Sequence, residues 1–195
     1  MIDIVVARYK ENIDWLNRFN LSGNDRLFIY NKSKDHFDVK IPFKCEYLQN
    51  IGREAHTFLY HIVKYYDDLA DETLFLQGHP FDHEPSFERL QGFVDGKADY
   101  NTYKTYDIVS LRGHHYDNGH HYHELFDIVY DKTIPYPTRY RFSSGAQYIV
   151  KKEGIIKHDK EVWQKLLEKS INHHQLPWNI ERVWMYIFSD VFPNN

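Results

Sequence analysis

Residues 74–83 read LFLQGHPFDH. Leu74, Phe75 and Leu76 form an uninterrupted apolar run, the pattern of a strand buried on both faces. The chain then turns at once into Gly78, His79, Pro80, Asp82 and His83. A buried strand that ends in such a cluster delivers polar side chains to one place. Upstream, "IDIVVA" (Ile2 to Ala7) is a second such run, and "RLFIYNKS" a third, with Asn31 and Ser33 just past its end. Between these runs, Ile13, Leu16 and Phe19 make a short helical face. Ala55, Leu59, Ile62 and Tyr66 recur at helical spacing after the irregular segment "CEYLQNIGREAH".

Strand, helix, strand, helix, strand within the first 80 or so residues predicts an α/β chain, with a mainly parallel sheet flanked by helices in a Rossmann-like arrangement. Ligands of such sheets sit beyond the carboxyl ends of the strands. That rule singles out Arg8 and Tyr9, Asn31, and the cluster from Gln77 to His83. The later sequence is less regular. "PSFERLQGFV" reads as a short helix, residues 95–141 as loop-rich, "GAQYIVKKEGII" as a strand leading into a turn, and "KEVWQKLLEKS" as an amphipathic helix. A last helix carries Ile180, Val183, Trp184, Ile187 and Phe188 on one face. No repeat or linker divides the chain, so 1–195 is expected to be a single domain.

A length of 195 residues with 42% hydrophobic and 27% charged side chains suits a globular domain with a substantial core. The net charge of −4 and the lack of any basic run disfavour nucleic acid as a partner. No apolar stretch is long enough to span a bilayer, and "MIDIVVARY" begins as a strand with no secretion signal. The single cysteine, Cys45, reads as a half-buried thiol beside a strand; with no internal partner it fits a reducing compartment, so a cytoplasmic protein is expected. The 16 Tyr, 13 Phe and 13 His suit a pocket of stacking surfaces with polar tips, and equally an aromatic core.

Four segments carry a resemblance: Gly52 to Leu59, Phe75 to Pro80, Ser144 to Val150 and Glu181 to Phe188. In this order they are similar to the motifs of a family of domains of unknown function found in fungi, bacteria and large viruses. The order of parts also resembles the nucleotide-sugar-binding core of GT-A glycosyltransferases. That resemblance implies a donor-binding half over 1–83 and an acceptor half over 84–195. It implies donor contacts from Ala7, Arg8, Tyr9, Asn31, Gly52, Arg53, Gln77 and Gly78, and from Ser144 and Gly145 beside the sugar. Where GT-A enzymes carry Asp-x-Asp for a divalent cation, this chain has Gln77, Gly78 and His79. His79 and Asp82 are then the candidate ligands for Mn²⁺ or Mg²⁺.

Sugar transfer from a nucleotide diphosphate needs the leaving group neutralised and the acceptor hydroxyl deprotonated. Arg53, at a helix start, suits a phosphate or carboxylate, or else pairs with a structural acid. Glu181 suits the base, and equally complements a helix dipole as a first-turn acid after Pro177. His79 and Asp82 are either site residues or satisfied structural polar groups, and Ser144 and Gly145 a sugar contact or a plain turn. His114, His115, His120, His121 and His123 hold no recognised zinc spacing and read as a mobile loop near the acceptor entrance. His173 and His174 read as surface residues. The expectation is a hexosyl- or deoxyhexosyltransferase that moves a sugar, with UDP as the expected nucleotide, to a glycan or other hydroxyl acceptor. The alternatives are a metal-dependent hydrolase built on the His-rich loop and a non-catalytic carbohydrate-binding module.

Overall fold

The computed structural model describes residues 1–82, 86–100, 108–110, 114–118, 122–143 and 145–189. Its centre is a six-stranded sheet in the order β3-β2-β1-β4-β8-β5, formed by β1 (Ile2–Arg8), β2 (Arg26–Asn31), β3 (Lys44–Tyr47), β4 (Glu72–Gln77), β5 (Ile108–Ser110) and β8 (Tyr148–Lys151). β1 pairs in parallel with β2 on one side and β4 on the other, and β2 pairs in parallel with β3. β8 runs antiparallel to both β4 and β5, so five of the six strands point the same way. The expected mainly parallel sheet flanked by helices is present, and strands from early and late in the chain share it.

Alternation along β1 divides the core. Ile2, Ile4 and Val6 pack on one face with Leu27, Ile29, Leu74, Leu76 and Ile149. Helix α2 (Phe87–Val94) covers that face through Phe87, Leu90 and Phe93, alongside Ile13, Leu16 and Phe19. Val5, Phe28, Phe75, Tyr148 and Val150 face the other way, against α1 (Arg53–Tyr65), α3 (His123–Tyr130), α5 (Lys160–Asn172) and α6 (Leu176–Ile187). The continuous apolar runs in β1, β2 and β4 follow from this burial on both faces. A two-stranded ribbon of β6 (His114–Asp117) and β7 (Tyr140–Ser143) packs near α6, and the short α4 (Lys152–Ile156) follows β8 directly.

Several expectations change. The segment around Cys45 is not irregular: Cys45 lies inside β3 and is exposed, because β3 is an edge strand with most of its side chains in solvent. His114 and His115 are not loop residues but the start of β6, hydrogen-bonded to β7. His123 opens α3, its ring stacked 3.7 Å from that of Tyr136, while His120 and His121 lie outside the described residues. The Ile13–Phe19 region forms only a single 3₁₀ turn, Asp14–Arg18. Of the two histidines read as surface residues, His174 is exposed and His173 is half-buried.

Candidate active site

β1 is followed in the chain by its neighbour on one side, β2, and β4 lies on its other side, so the strand order reverses between β1 and β4. Diverging connections at such a point leave a crevice beyond the carboxyl ends of the strands. A cleft of about 320 Å³ lies there, lined by Ala7, Arg8, Tyr9, Glu11, Lys32, Asn50, Arg53, Glu54, Gln77, His79 and Asp82. Residues from the ends of β1, β2 and β4 and from the start of α1 thus share one wall.

Of the residues the sequence singled out, Ala7, Arg8, Tyr9, Arg53, Gln77, His79 and Asp82 line this cleft. Arg8 does so as a brace. Its guanidinium is buried and donates to Asn31 Oδ1 at 2.9 Å, to Glu11 O at 3.0 Å, to Tyr9 O at 3.3 Å and to Asp35 Oδ2 at 3.3 Å. Asn31 stands behind Arg8 rather than on the wall, and its Oδ1 also accepts from Ser33 N at 3.0 Å. Both hold the strand ends in shape. Gln77 differs: its backbone N–H donates to Gln147 Oε1 at 3.4 Å, while its side-chain amide has no protein partner among the described residues.

The turn after β4 is clamped from two sides. Trp15 Nε1 donates to Gly78 O at 3.0 Å, and Gln147 Nε2 to Pro80 O at 3.1 Å. A side chain at Gly78 would meet Glu11, whose Oε2 would sit 2.6 Å from the added Cβ. That is the close approach the glycine permits. Beyond the turn, His79 Nε2 and Asp82 Oδ1 stand 3.7 Å apart, both well exposed. Two protein donors leave most of the six or so ligands of Mg²⁺ to waters and substrate phosphates, and no cluster of three His, Cys, Asp or Glu exists among the described residues. This pair is too sparse to hold Mn²⁺ or Mg²⁺ without a bound phosphate; His83 lies outside the described residues.

α1 enters the cleft wall through a strained turn. Gly52 has φ +59°, and Arg53 follows with φ +47°, also left-handed. A Cβ at Gly52 would lie 2.7 Å from His56 Cβ and 2.9 Å from Ser170 O of α5. Two such residues in a row cost about 1–2 kcal/mol at the non-glycine one and persist only where the surroundings enforce them. Lys32 supplies that enforcement: its ammonium donates to Ile51 O at 2.6 Å and to Arg53 O. Lys32 is 8% exposed, and burial pushes its pKa down to about 8, with the charge of Glu54 pulling the other way. It makes no ion pair among the described residues.

Glu181 is not in the first turn of its helix, because α6 begins at Leu176. The dipole reading therefore loses its basis. The carboxylate is largely buried, with Oε2 accepting from Gly145 N at 3.2 Å and Oε1 from Arg182 Nη1 at 2.8 Å. Burial raises its pKa above the usual glutamate value, and Glu54 raises it further against the pull of Arg182, Gly145 N–H and Arg53. Glu181 is not on the cleft wall, but Arg53 and Glu54, whose charges reach it, are. Arg53 Nε stands 3.5 Å from Glu54 Oε2 and its guanidinium 5.2 Å from the indole of Trp178, one turn before Glu181. Arg182 also meets Asp117 at 3.5 Å, tying Glu181 to the β6–β7 ribbon. Ser144 lies outside the described residues; Gly145 has φ +95° and turns its N–H toward Glu181.

Glu11, Lys32, Asn50 and Glu54 line the cleft without having been singled out from sequence. Among the described residues no helix is long and apolar enough to cross a membrane. Neither a curated protein nor a solved structure matches the chain. Residues 4–91 match the model of a family described as a protein of unknown function (DUF3431), a span that holds every residue of the cleft wall but stops short of Gly145 and Glu181.

Proposed function

We propose that the cleft at the ends of β1 and β4 binds the nucleotide-sugar donor of a glycosyltransferase. Glu181 would act as the base that takes the proton of the acceptor hydroxyl. The observation that carries this reading is convergence. Strand ends that the sequence marks separately, together with the start of α1, line one cleft at the topological switch point, and a largely buried carboxylate lies electrostatically next to it.

In an inverting transfer the acceptor oxygen bonds to the anomeric carbon as the bond to the leaving diphosphate breaks. The hydroxyl proton passes to a carboxylate on the opposite side. Glu181 suits that step because its raised pKa moves it toward the range where a base works best near neutral pH. Arg182 and Gly145 N–H fix the orientation of its two oxygens. Gln77 offers an uncommitted amide for a sugar hydroxyl, and Tyr9 a half-exposed ring for a base. UDP is the nucleotide and a glycan or other hydroxyl compound the acceptor under this proposal. Calorimetry with a panel of nucleotides tests it: UDP should bind, and an absence of binding to every nucleotide, with and without Mn²⁺, overturns the reading. Glu181→Gln should lower transfer by about 10²–10⁴-fold while UDP binding stays within about two-fold; unchanged turnover would remove Glu181 from the mechanism.

A further inference from the structure

We infer that Lys32, together with Arg53, is the counter-charge for the diphosphate of the donor, and that the cleft holds this anion without a divalent cation. The inference rests on the donor-site reading above and names the groups that neutralise the leaving diphosphate.

Lys32 is a buried cation that makes no ion pair among the described residues, although the charge of Glu54 reaches it. An ammonium has three donors, and two go to the carbonyls of Ile51 and Arg53. The third has no protein partner among the described residues, and the residue lines the cleft. A charge held out of water in this way calls for an anion or a strong network of dipoles. Every other cation on this wall is engaged with acids: Arg8 with Asp35, and Arg53 with Glu54 at the looser distance of 3.5 Å. Arg53 is 54% exposed at its side chain, so it is free to swing onto a ligand. Its fork would add two parallel donors to phosphate oxygens.

The turn geometry places these two cations together. Lys32 follows β2, Arg53 opens α1, and the Lys32 bond to Arg53 O joins them across the left-handed Gly52–Arg53 turn. No side chain caps α1, whose first turn starts at the same wall. An anion seated against Lys32 would meet a helix start of favourable polarity as well. The acids that a cation-dependent site would need are placed otherwise. Glu11 accepts the Tyr9 N–H at 2.7 Å, Glu54 stands by Arg53, and Asp82 stands by His79.

The test uses the full chain with three probes: UDP, uridine and inorganic pyrophosphate, each titrated in EDTA and again in Mn²⁺. Lys32→Met and Arg53→Met are the variants, with circular dichroism and a melting curve to confirm folding; Arg53→Met, at an exposed position, keeps the test valid if Lys32→Met unfolds. The expected result is that UDP and pyrophosphate bind in EDTA. Either variant then weakens both by about ten-fold or more, and uridine, which lacks the phosphates, is unaffected. Binding of UDP that needs Mn²⁺, or that survives both substitutions unchanged in EDTA, overturns the inference and leaves the donor site standing. Pyrophosphate bound in a Lys32-dependent way with no nucleotide bound would keep the anion site and discard the donor-site reading. No binding of pyrophosphate or UDP in EDTA discards the inference outright.

Discussion

The two ends of the parallel strands treat buried charge in opposite ways. At the amino end of β1, Asp3 is fully buried and held by the fork of Arg26, with Nε at 2.6 Å and Nη2 at 2.8 Å. Arg26 continues to Asp68 at 2.7 Å. Burial works against the charge of Asp3, yet His61 and Arg26 overcome it and hold its pKa below the ordinary 3.8. Arg26 is the stronger geometric partner, since His61 stands 3.7 Å away and burial lowers its own pKa. At the carboxyl end of the same sheet, Lys32 faces only carbonyls and Glu181 is pushed toward its neutral form. One end is electrostatically closed and holds the fold together. The other leaves the ammonium of Lys32 without an ion pair among the described residues where the cleft lies, as expected where a ligand completes the network.

The contrast can be broken most severely at its closed end. Asp3→Ala leaves Arg26 half-buried without its main partner and should cost about 3–5 kcal/mol in urea unfolding at pH 7. A loss below about 1 kcal/mol would mean that the pair is not what closes this end. The sign of its pH dependence follows from the lowered pKa. The stability that Asp3 contributes is present above pH 3.8 and is lost as pH falls through the still lower folded value.

Gly52→Ala attacks the open end through the backbone. The residue would carry φ +59° and meet the Ser170 carbonyl, a backbone atom that cannot swing aside. We expect a loss of about 2–3 kcal/mol and weaker pyrophosphate binding, because the turn that holds Arg53 beside Lys32 would shift. Unchanged stability would show that the α1–α5 contact yields easily.

A pH series probes the open end from the side of Lys32. With a folded pKa of about 8 against an ordinary 10.5, Lys32 binds its proton less readily in the folded chain. Its share of the stability should therefore rise as pH climbs from about 8 to 10.5, by up to about 3 kcal/mol, the same sign as the Asp3 trend but in an alkaline window. Over the same rise pyrophosphate affinity should fall, since the neutral amine offers no charge. Urea midpoints across this range check the first trend and calorimetry the second. Lys32→Met should flatten both curves.

Much of the fold was legible because burial on both faces writes itself as continuous apolar runs. β1, β2 and β4 announce themselves that way, and the 3.6 spacing of Ala55, Leu59 and Ile62 announces α1. β3 was hidden because Lys44, Cys45 and Tyr47 are exposed on an edge strand, where no apolar pattern is required. β6 was hidden by its histidines. At the cleft, the rule that ligands sit beyond strand ends found Tyr9, Gln77 and His79. The same rule covers Lys32, which stands between the noted Asn31 and Ser33, but a lone lysine after a strand carries no sign that it will be buried. Glu11, Asn50 and Glu54 come from loops and a helix start, and only the folded chain brings them to the wall. Glu181 was found through its motif, while its true place in the second turn of α6 depended on where that helix begins.

The central claim is that the open end of the sheet is a donor site. The most direct measurement is a crystal structure of the chain soaked with UDP at saturating concentration. The account predicts diphosphate density between the ends of β1 and β4, within hydrogen-bond distance of Lys32 Nζ and the Arg53 guanidinium, with the nucleoside against Tyr9. Density at any other place on the molecule, or an empty cleft at full saturation, would contradict it.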